Sequence, residues 1–186
     1  VSMPRLRAFA KDLGKDLSLA RELWASGSRE ARILATLIAP VECFDEARIA
    51  EWLGDVRDWE TCDQLCMNLV RHHPRCLEFP AKWARSDDLF VRRAAFATIA
   101  AAAVSMKGPE HDQAFISALD LIEAHGDDDR HLIQKALAWA MRSIARRGVM
   151  CRDAVKETCS ALEESDLRQR RALGQRIRRE LEIKYG

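Results

Sequence analysis

The sequence lacks a long apolar run. None of its hydrophobic stretches approaches the roughly 20 residues that a helix needs to cross the hydrocarbon core of a membrane. The first residues also lack the charged segment and apolar core of a secretory signal peptide. We therefore expect a protein that does not span a membrane, and a cytoplasmic location.

An excess of charge of one sign is also missing. Lysine and arginine total 30 against 29 aspartate and glutamate residues, which gives a net charge of +1. Composition alone therefore does not indicate a nucleic-acid-binding protein. It does not exclude one either, because binding depends on where the charges lie on the surface rather than on their sum.

The cysteines do not form the pattern of a disulfide framework. A chain of 186 residues can bury about 70% of the surface that its unfolded form exposes, so it does not need covalent crosslinks. Irregular spacing in a chain of this size favours reduced thiols, which agrees with a cytoplasmic setting. The six residues concerned are Cys43, Cys62, Cys66, Cys76, Cys151 and Cys159.

A zinc site is the alternative interpretation of part of this set. Cys62, Cys66 and Cys76 have His72 and His73 nearby in the sequence. However, Cys-x3-Cys on a continuing helix is poor spacing for zinc, and both thiols lie near an apolar stripe. We interpret these cysteines as small buried side chains and predict neither a metal nor a cofactor.

No segment alternates between apolar and polar residues as a strand does, and almost every segment has helical periodicity. Ser28 and the run Ser86-Asp87-Asp88 are predicted N-caps. The sequence therefore predicts an all-α fold in one domain, residues 1–186, with short loops. The predicted helices cover residues 4–14, 16–25, 29–39, 45–53, 59–71, part of 74–85, 86–106, 110–124, 128–147, 150–163 and 166–184.

Helices of these lengths joined in antiparallel pairs by tight turns are typical of a HEAT or armadillo solenoid. No clean repeated motif is visible in the sequence. A compact, irregular helical bundle therefore remains the alternative architecture.

Trp59 and Asp63 are four residues apart and share one face of the helix predicted at 59–71. On that helix, Asp63 falls beside Cys66, Met67 and Val70, at the edge of the apolar stripe. A carboxylate there loses solvation and needs a cation or hydrogen-bond donors to compensate. It indicates either a structural ion pair or a chemical role.

The helix at 128–147 carries a second tryptophan. Trp139 points away from the core face of this helix and lies among Lys135, Arg142 and Arg146. An indole among three cations suits contact with a phosphate backbone and a sugar or base. The alternative is that a neighbouring helix covers Trp139.

Further arginines flank an apolar stripe at the start of the helix at 86–106. Arg92 and Arg93 could each pair with Asp63 or donate hydrogen bonds to a phosphate, and Lys82 and Arg85 lie just upstream. Positive charge is also concentrated in the segment 166–186.

These residues resemble the AlkD family of HEAT-like-repeat alkylpurine DNA glycosylases. The resemblance covers nearly the whole chain, with the motifs in the family's order. They are Glu22-Leu-Trp24 with Arg29-Glu30, Trp59-Glu-Thr-Cys-Asp63, Lys82-Trp83-Ala-Arg-Ser86-Asp87, Leu89-Phe90-Val-Arg-Arg93-Ala-Ala and Ile133-Gln-Lys135-Ala-Leu-Ala-Trp139-Ala-Met-Arg142.

The resemblance implies release of purines alkylated at N3 or N7 from duplex DNA by a monomeric enzyme without metal or cofactor. Asp63 would stabilise the oxocarbenium character of the deoxyribose and position water, while Trp59 and Trp139 complete the catalytic centre. Arg93 would anchor a phosphate. With it, the expected DNA-binding residues are Arg92, Lys135, Arg142, Arg146, Lys82 and Arg85.

Two other functions remain open from the sequence. One is a catalytically weak relative that binds DNA, including branched or distorted DNA, through the same face. The other is a protein-interaction scaffold, in which Asp63 is simply paired with an arginine.

Overall fold

The computed structural model describes residues 1–186 and contains eleven α-helices, three short 3-10 helices and no strand, which confirms the all-α prediction. No helix is both long enough and apolar enough to cross a membrane. The α-helices are α1 Met3–Leu13, α2 Leu17–Ala25, α3 Arg29–Ile38, α4 Glu46–Asp55, α5 Trp59–Asn68, α6 Phe79–Trp83, α7 Leu89–Ser105, α8 Asp112–Ala124, α9 His131–Ala145, α10 Val149–Glu163 and α11 Arg168–Tyr185. The 3-10 helices are Val41–Cys43, Val70–His72 and Pro109–His111.

The helices form two layers. The odd-numbered helices pack side by side in chain order, and the even-numbered helices pack against them. Within the odd-numbered layer, Lys15 after α1 donates to the Leu37 and Ala39 carbonyls at the end of α3. Likewise, Arg147 after α9 donates to the Ala103 carbonyl at the end of α7. Neighbouring odd-numbered helices therefore run in the same direction. The even-numbered helix between two of them in the chain runs the opposite way, so consecutive helices form antiparallel pairs.

Aspartate side chains cap four of the helices. Asp16, Asp45, Asp58 and Asp88 each accept a hydrogen bond from a backbone N–H in the first turn of α2, α4, α5 and α7. Such caps satisfy donors that have no partner within the helix. Ser28 occupies the N-cap position of α3, as predicted, but its side chain makes no capping hydrogen bond there.

Two boundaries between residues 59 and 85 differ from the sequence prediction. Helix α5 ends at Asn68 rather than near Arg71, because Leu69 leaves the helical region with φ −122° and ψ −64°. A separate 3-10 turn, Val70–His72, follows it. The segment 74–85 contains only the five-residue helix α6, which has Pro80 in its first turn.

The alanine-rich helix α7 lies at the centre of the fold and packs against α5, α6 and α9. Eleven of its 17 residues are buried. On the α5 side, the Cys62 thiol donates to the Phe90 carbonyl at 3.4 Å and Cys66 donates to Ala94 at 3.7 Å. These cysteines and Cys76 are buried, as the sequence indicated, because small side chains allow the helices to approach closely.

Candidate nucleic-acid interface

An ion pair between Asp63 and Arg93 joins the N-terminal halves of α5, α7 and α9. Arg93 Nε donates to Asp63 Oδ1 at 2.9 Å and Nη2 donates to Oδ2 at 2.8 Å. The remaining Nη1 donates to the Leu132 carbonyl in α9. Only 5% of the Arg93 side chain and 13% of the Asp63 side chain are exposed. The carboxylate is therefore held in one orientation at the edge of the solvent.

Burial raises the pKa of the Asp63 carboxyl above its ordinary value, and the adjacent Arg93 guanidinium opposes that rise. Both effects are physically expected, because a low dielectric penalises the charged form whereas two charge-assisted hydrogen bonds stabilise it. Asp58 adds a small further increase in the Asp63 pKa through like-charge repulsion.

The neighbouring Arg92 has different partners. Its Nη1 donates to Asp128 Oδ2 at 2.8 Å, and its Nε donates to the Ser86 carbonyl at 2.8 Å. The sequence analysis expected both Arg92 and Arg93 to bind DNA phosphates. In the structure both guanidinium groups donate to other protein groups, and only 21% of the Arg92 side chain and 5% of the Arg93 side chain are exposed. Little of either group is therefore open to a phosphate.

Trp59 presents an exposed indole one turn from Asp63. It is the first residue of α5, and 54% of it is exposed. The preceding Asp58 fixes this end of the helix by accepting hydrogen bonds from the Thr61 N–H at 2.8 Å and the Thr61 hydroxyl at 2.7 Å. The carboxylate and the indole are therefore presented on one helix face.

The α9 stripe comprises Lys135, Trp139, Arg142 and Arg146, on the side of α9 turned from the core. Lys135 and Arg146 are exposed, and Trp139 is half-buried against core residues. Arg142 pairs weakly with Glu180 of α11 at 3.4 Å. Trp139 lies two turns, about 10 Å, beyond the Leu132 turn that accepts from Arg93. The stripe thus begins where the Asp63–Arg93 pair contacts α9.

No hydrogen bond or ion pair links Lys82 or Arg85 to the Asp63–Arg93 pair or to the α9 stripe. Lys82 lies on α6, is 74% exposed and pairs with Glu46 of α4 at 2.8 Å. Arg85 is an exposed residue of the loop between α6 and α7. Their assignment to DNA contact stays a prediction.

The sequence analysis did not single out Arg176 as a site residue. In the structure, Arg176 of α11 donates to the Gln134 carbonyl of α9 at 3.2 Å. Burial and the nearby Arg142 lower the pKa of the Arg176 guanidinium. The sequence carried no signal for this contact, because the Arg142–Glu180 pair that lies beside Arg176 is visible only in the structure.

Antiparallel helix pairs stacked in two layers define a HEAT-like repeat fold. A family model described as "DNA alkylation repair enzyme" matches residues 1–169. The chain therefore belongs to that family.

A solved structure supports the fold assignment. Its description is "A new family of proteins related to the HEAT-like repeat DNA glycosylases with affinity for branched DNA structures". It superposes with a TM-score of 0.77 over 99% of this chain and 81% of that chain, at 16% sequence identity. At this identity the likeness establishes the fold only. No curated protein matches the sequence.

Proposed function

We propose that this protein is a monomeric DNA glycosylase that releases positively charged N3- or N7-alkylated purines from duplex DNA. The observation that carries the proposal is the Asp63 carboxylate, which is largely buried, held in place by Arg93 and open to solvent on one side next to Trp59. Membership of the DNA alkylation repair enzyme family supports this choice of substrate class.

The reaction needs little from the protein, because an alkylated purine already carries positive charge. As the C1′–N bond breaks, its electron pair moves to the base and neutralises that charge, and oxocarbenium character develops on the deoxyribose. The Asp63 carboxylate stabilises this cation electrostatically. It also orients a water molecule whose oxygen bonds to C1′, and the proton that the water loses passes to Asp63 or to solvent.

Arg93 acts as a positioning residue in this proposal. Each oxygen of an ionised carboxylate has about two acceptor sites, and Arg93 uses one on each oxygen of Asp63. The other sites remain for water and for the sugar. The guanidinium also favours the ionised form that the reaction requires, against the effect of burial.

The α9 stripe provides the proposed contact with the DNA backbone. Lys135 and Arg146 are exposed and have no ion-pair partner, and Arg142 has only the long contact to Glu180. All three can therefore turn to phosphates at low cost. Trp139 presents indole surface beside these cations, and the exposed Trp59 presents another one turn from Asp63, for contact with sugars and unstacked bases.

The direct test is release of 7-methylguanine from methylated duplex DNA, with undamaged DNA as the control. We expect release from the methylated duplex only, at a rate proportional to the protein concentration. Absence of release, with tight binding to the same duplex, would contradict the proposal.

A DNA-binding protein without glycosylase activity is the second candidate. Arg93 already donates to both oxygens of Asp63. Its positive charge weakens the electrostatic stabilisation that Asp63 can give to a sugar cation. The structural relative described above is reported to have affinity for branched DNA. This candidate predicts tighter binding to a four-way junction than to a matched duplex, and no 7-methylguanine release.

A further inference from the structure

A cavity of about 400 Å³ opens where α7 and α9 end, at the opposite end of these helices from Asp63. The loop that connects α7 with α8 forms its other wall. Most of the side chains around it are polar or charged, among them Lys107, Asp112, Ser143, Arg146 and Arg147. This composition suits a small charged group rather than an apolar ligand.

Arg147 and Asp112 contribute no free charge to the cavity. Arg147 Nε donates to Asp112 Oδ1 at 2.8 Å, and only 5% of the Arg147 side chain is exposed. The same guanidinium donates to the carbonyls of Ala103, Met106 and Gly108. The helix-end carbonyls that would otherwise repel an anion are therefore already satisfied.

Two cations of the lining remain available. Lys107 and Arg146 are exposed, and neither makes an ion pair. Asp112 is the one carboxylate in the lining. The Glu110 carboxylate lies over Gly108, is 66% exposed and contacts His111 at 3.5 Å. The available charge at the cavity is thus positive.

Ser143 also borders the cavity, but it is fully buried and its hydroxyl oxygen has no surface that a ligand could reach. The groups open to a ligand are therefore Lys107 and Arg146.

The cavity also continues the α9 stripe, because Arg146 belongs to both. Lys135 and Arg146 are eleven residues apart, or about 16 Å along the helix. This length corresponds to about five base pairs along the axis of B-DNA, or about half a helical turn. DNA that lies along the stripe would therefore present to the cavity a phosphate other than the one at Lys135.

We propose that this cavity binds one backbone phosphate of DNA that lies along α9. Lys107 and Arg146 donate to the non-bridging oxygens of the phosphodiester. The inference rests on the proposed DNA-binding function and adds a defined second point of attachment, remote from Asp63.

The test is binding of a duplex in which one phosphate at a time is replaced by an uncharged methylphosphonate. For the wild-type protein, replacement at one position of either strand, distinct from the phosphate at Lys135, should weaken binding about tenfold, the loss of one charge-assisted contact. In the variant Lys107→Gln with Arg146→Gln, replacement at that position should have no further effect. The slope of log K against log salt should fall by about 0.9 for the lost phosphate.

The matched control is Arg21→Gln with Lys156→Gln. It removes the same charge from exposed positions on α2 and α10, in the even-numbered layer, and should keep both the positional effect and the salt slope.

Two negative results have different meanings. If the wild-type protein binds and processes DNA, but the cavity variant keeps the full positional effect, the cavity proposal is wrong and the proposed function stands. If the wild-type protein releases no alkylpurine and its binding to duplex is independent of salt, the proposed function fails and the cavity proposal fails with it.

Discussion

Replacing Asp63 by asparagine should reduce both excision and stability. Breaking a buried ion pair on one side costs about 3–5 kcal/mol, because the remaining charge is left unpaired. In Asp63→Asn, the amide oxygen can still accept from Arg93 Nε, but the amide N–H2 meets the Nη2 donor at the position now 2.8 Å from Oδ2. For a chain of this size, 1 kcal/mol corresponds to about 2–4 °C, so the melting temperature should fall by roughly 6–20 °C.

Excision by the same variant should fall by about 10²- to 10³-fold, the usual cost of removing one electrostatic stabiliser of a transition state. Single-turnover release of 7-methylguanine, measured well below the lowered melting temperature, gives this number. Thermal melting of the DNA-free protein gives the stability separately.

The double variant Asp63→Asn with Arg93→Gln separates the two effects. It leaves two neutral amides that can bond to each other, and replacing a whole buried ion pair is often close to neutral in stability. We expect the melting temperature to recover by at least half of the loss, whereas excision stays low. A double variant that is stable and excises at the wild-type rate would remove the Asp63 carboxylate from the mechanism.

Three other predictions concern pH, salt and the second buried ion pair. Excision requires ionised Asp63, and burial raises the pKa of this carboxyl. Single-turnover activity should therefore be lost as the pH falls, with a midpoint above the ordinary aspartate pKa of about 3.9. A midpoint at or below that value would contradict the assignment of Asp63. If the three cations of the α9 stripe each contact a phosphate, duplex affinity measured by fluorescence anisotropy should fall about 40-fold between 50 and 200 mM salt, from a slope of about −0.9 per contact. Arg147→Met should cost about 3–5 kcal/mol, because it leaves Asp112 buried without a partner, whereas Lys156→Gln removes only an exposed pair and should change stability by less than about 1 kcal/mol.

The helical fold was predictable because its signals are local. Apolar residues recur with helical period, and caps such as Asp58 and Asp88 stand directly before the helices that they start. The end of α5 was less predictable. Leu69 is a good helix former, and only the tertiary packing takes it out of the helical region. The cavity where α7 and α9 end gave no signal in the sequence, because Lys107 and Ser143 are far apart in the chain and neither forms part of a motif.

The identity of the partner of Asp63 shows where local reasoning stops. Arg92 and Arg93 are adjacent in the sequence and differ by about 100° around α7. That rotation sends Arg92 to Asp128, in the loop before α9, and Arg93 to Asp63 on α5. Helix periodicity places both arginines beside the same apolar stripe, so it cannot choose between them. The choice depends on the direction from which α5 and α9 approach α7. That direction is set by the packing of the whole odd-numbered layer, which brings the carboxylate, its arginine and the first turn of α9 together.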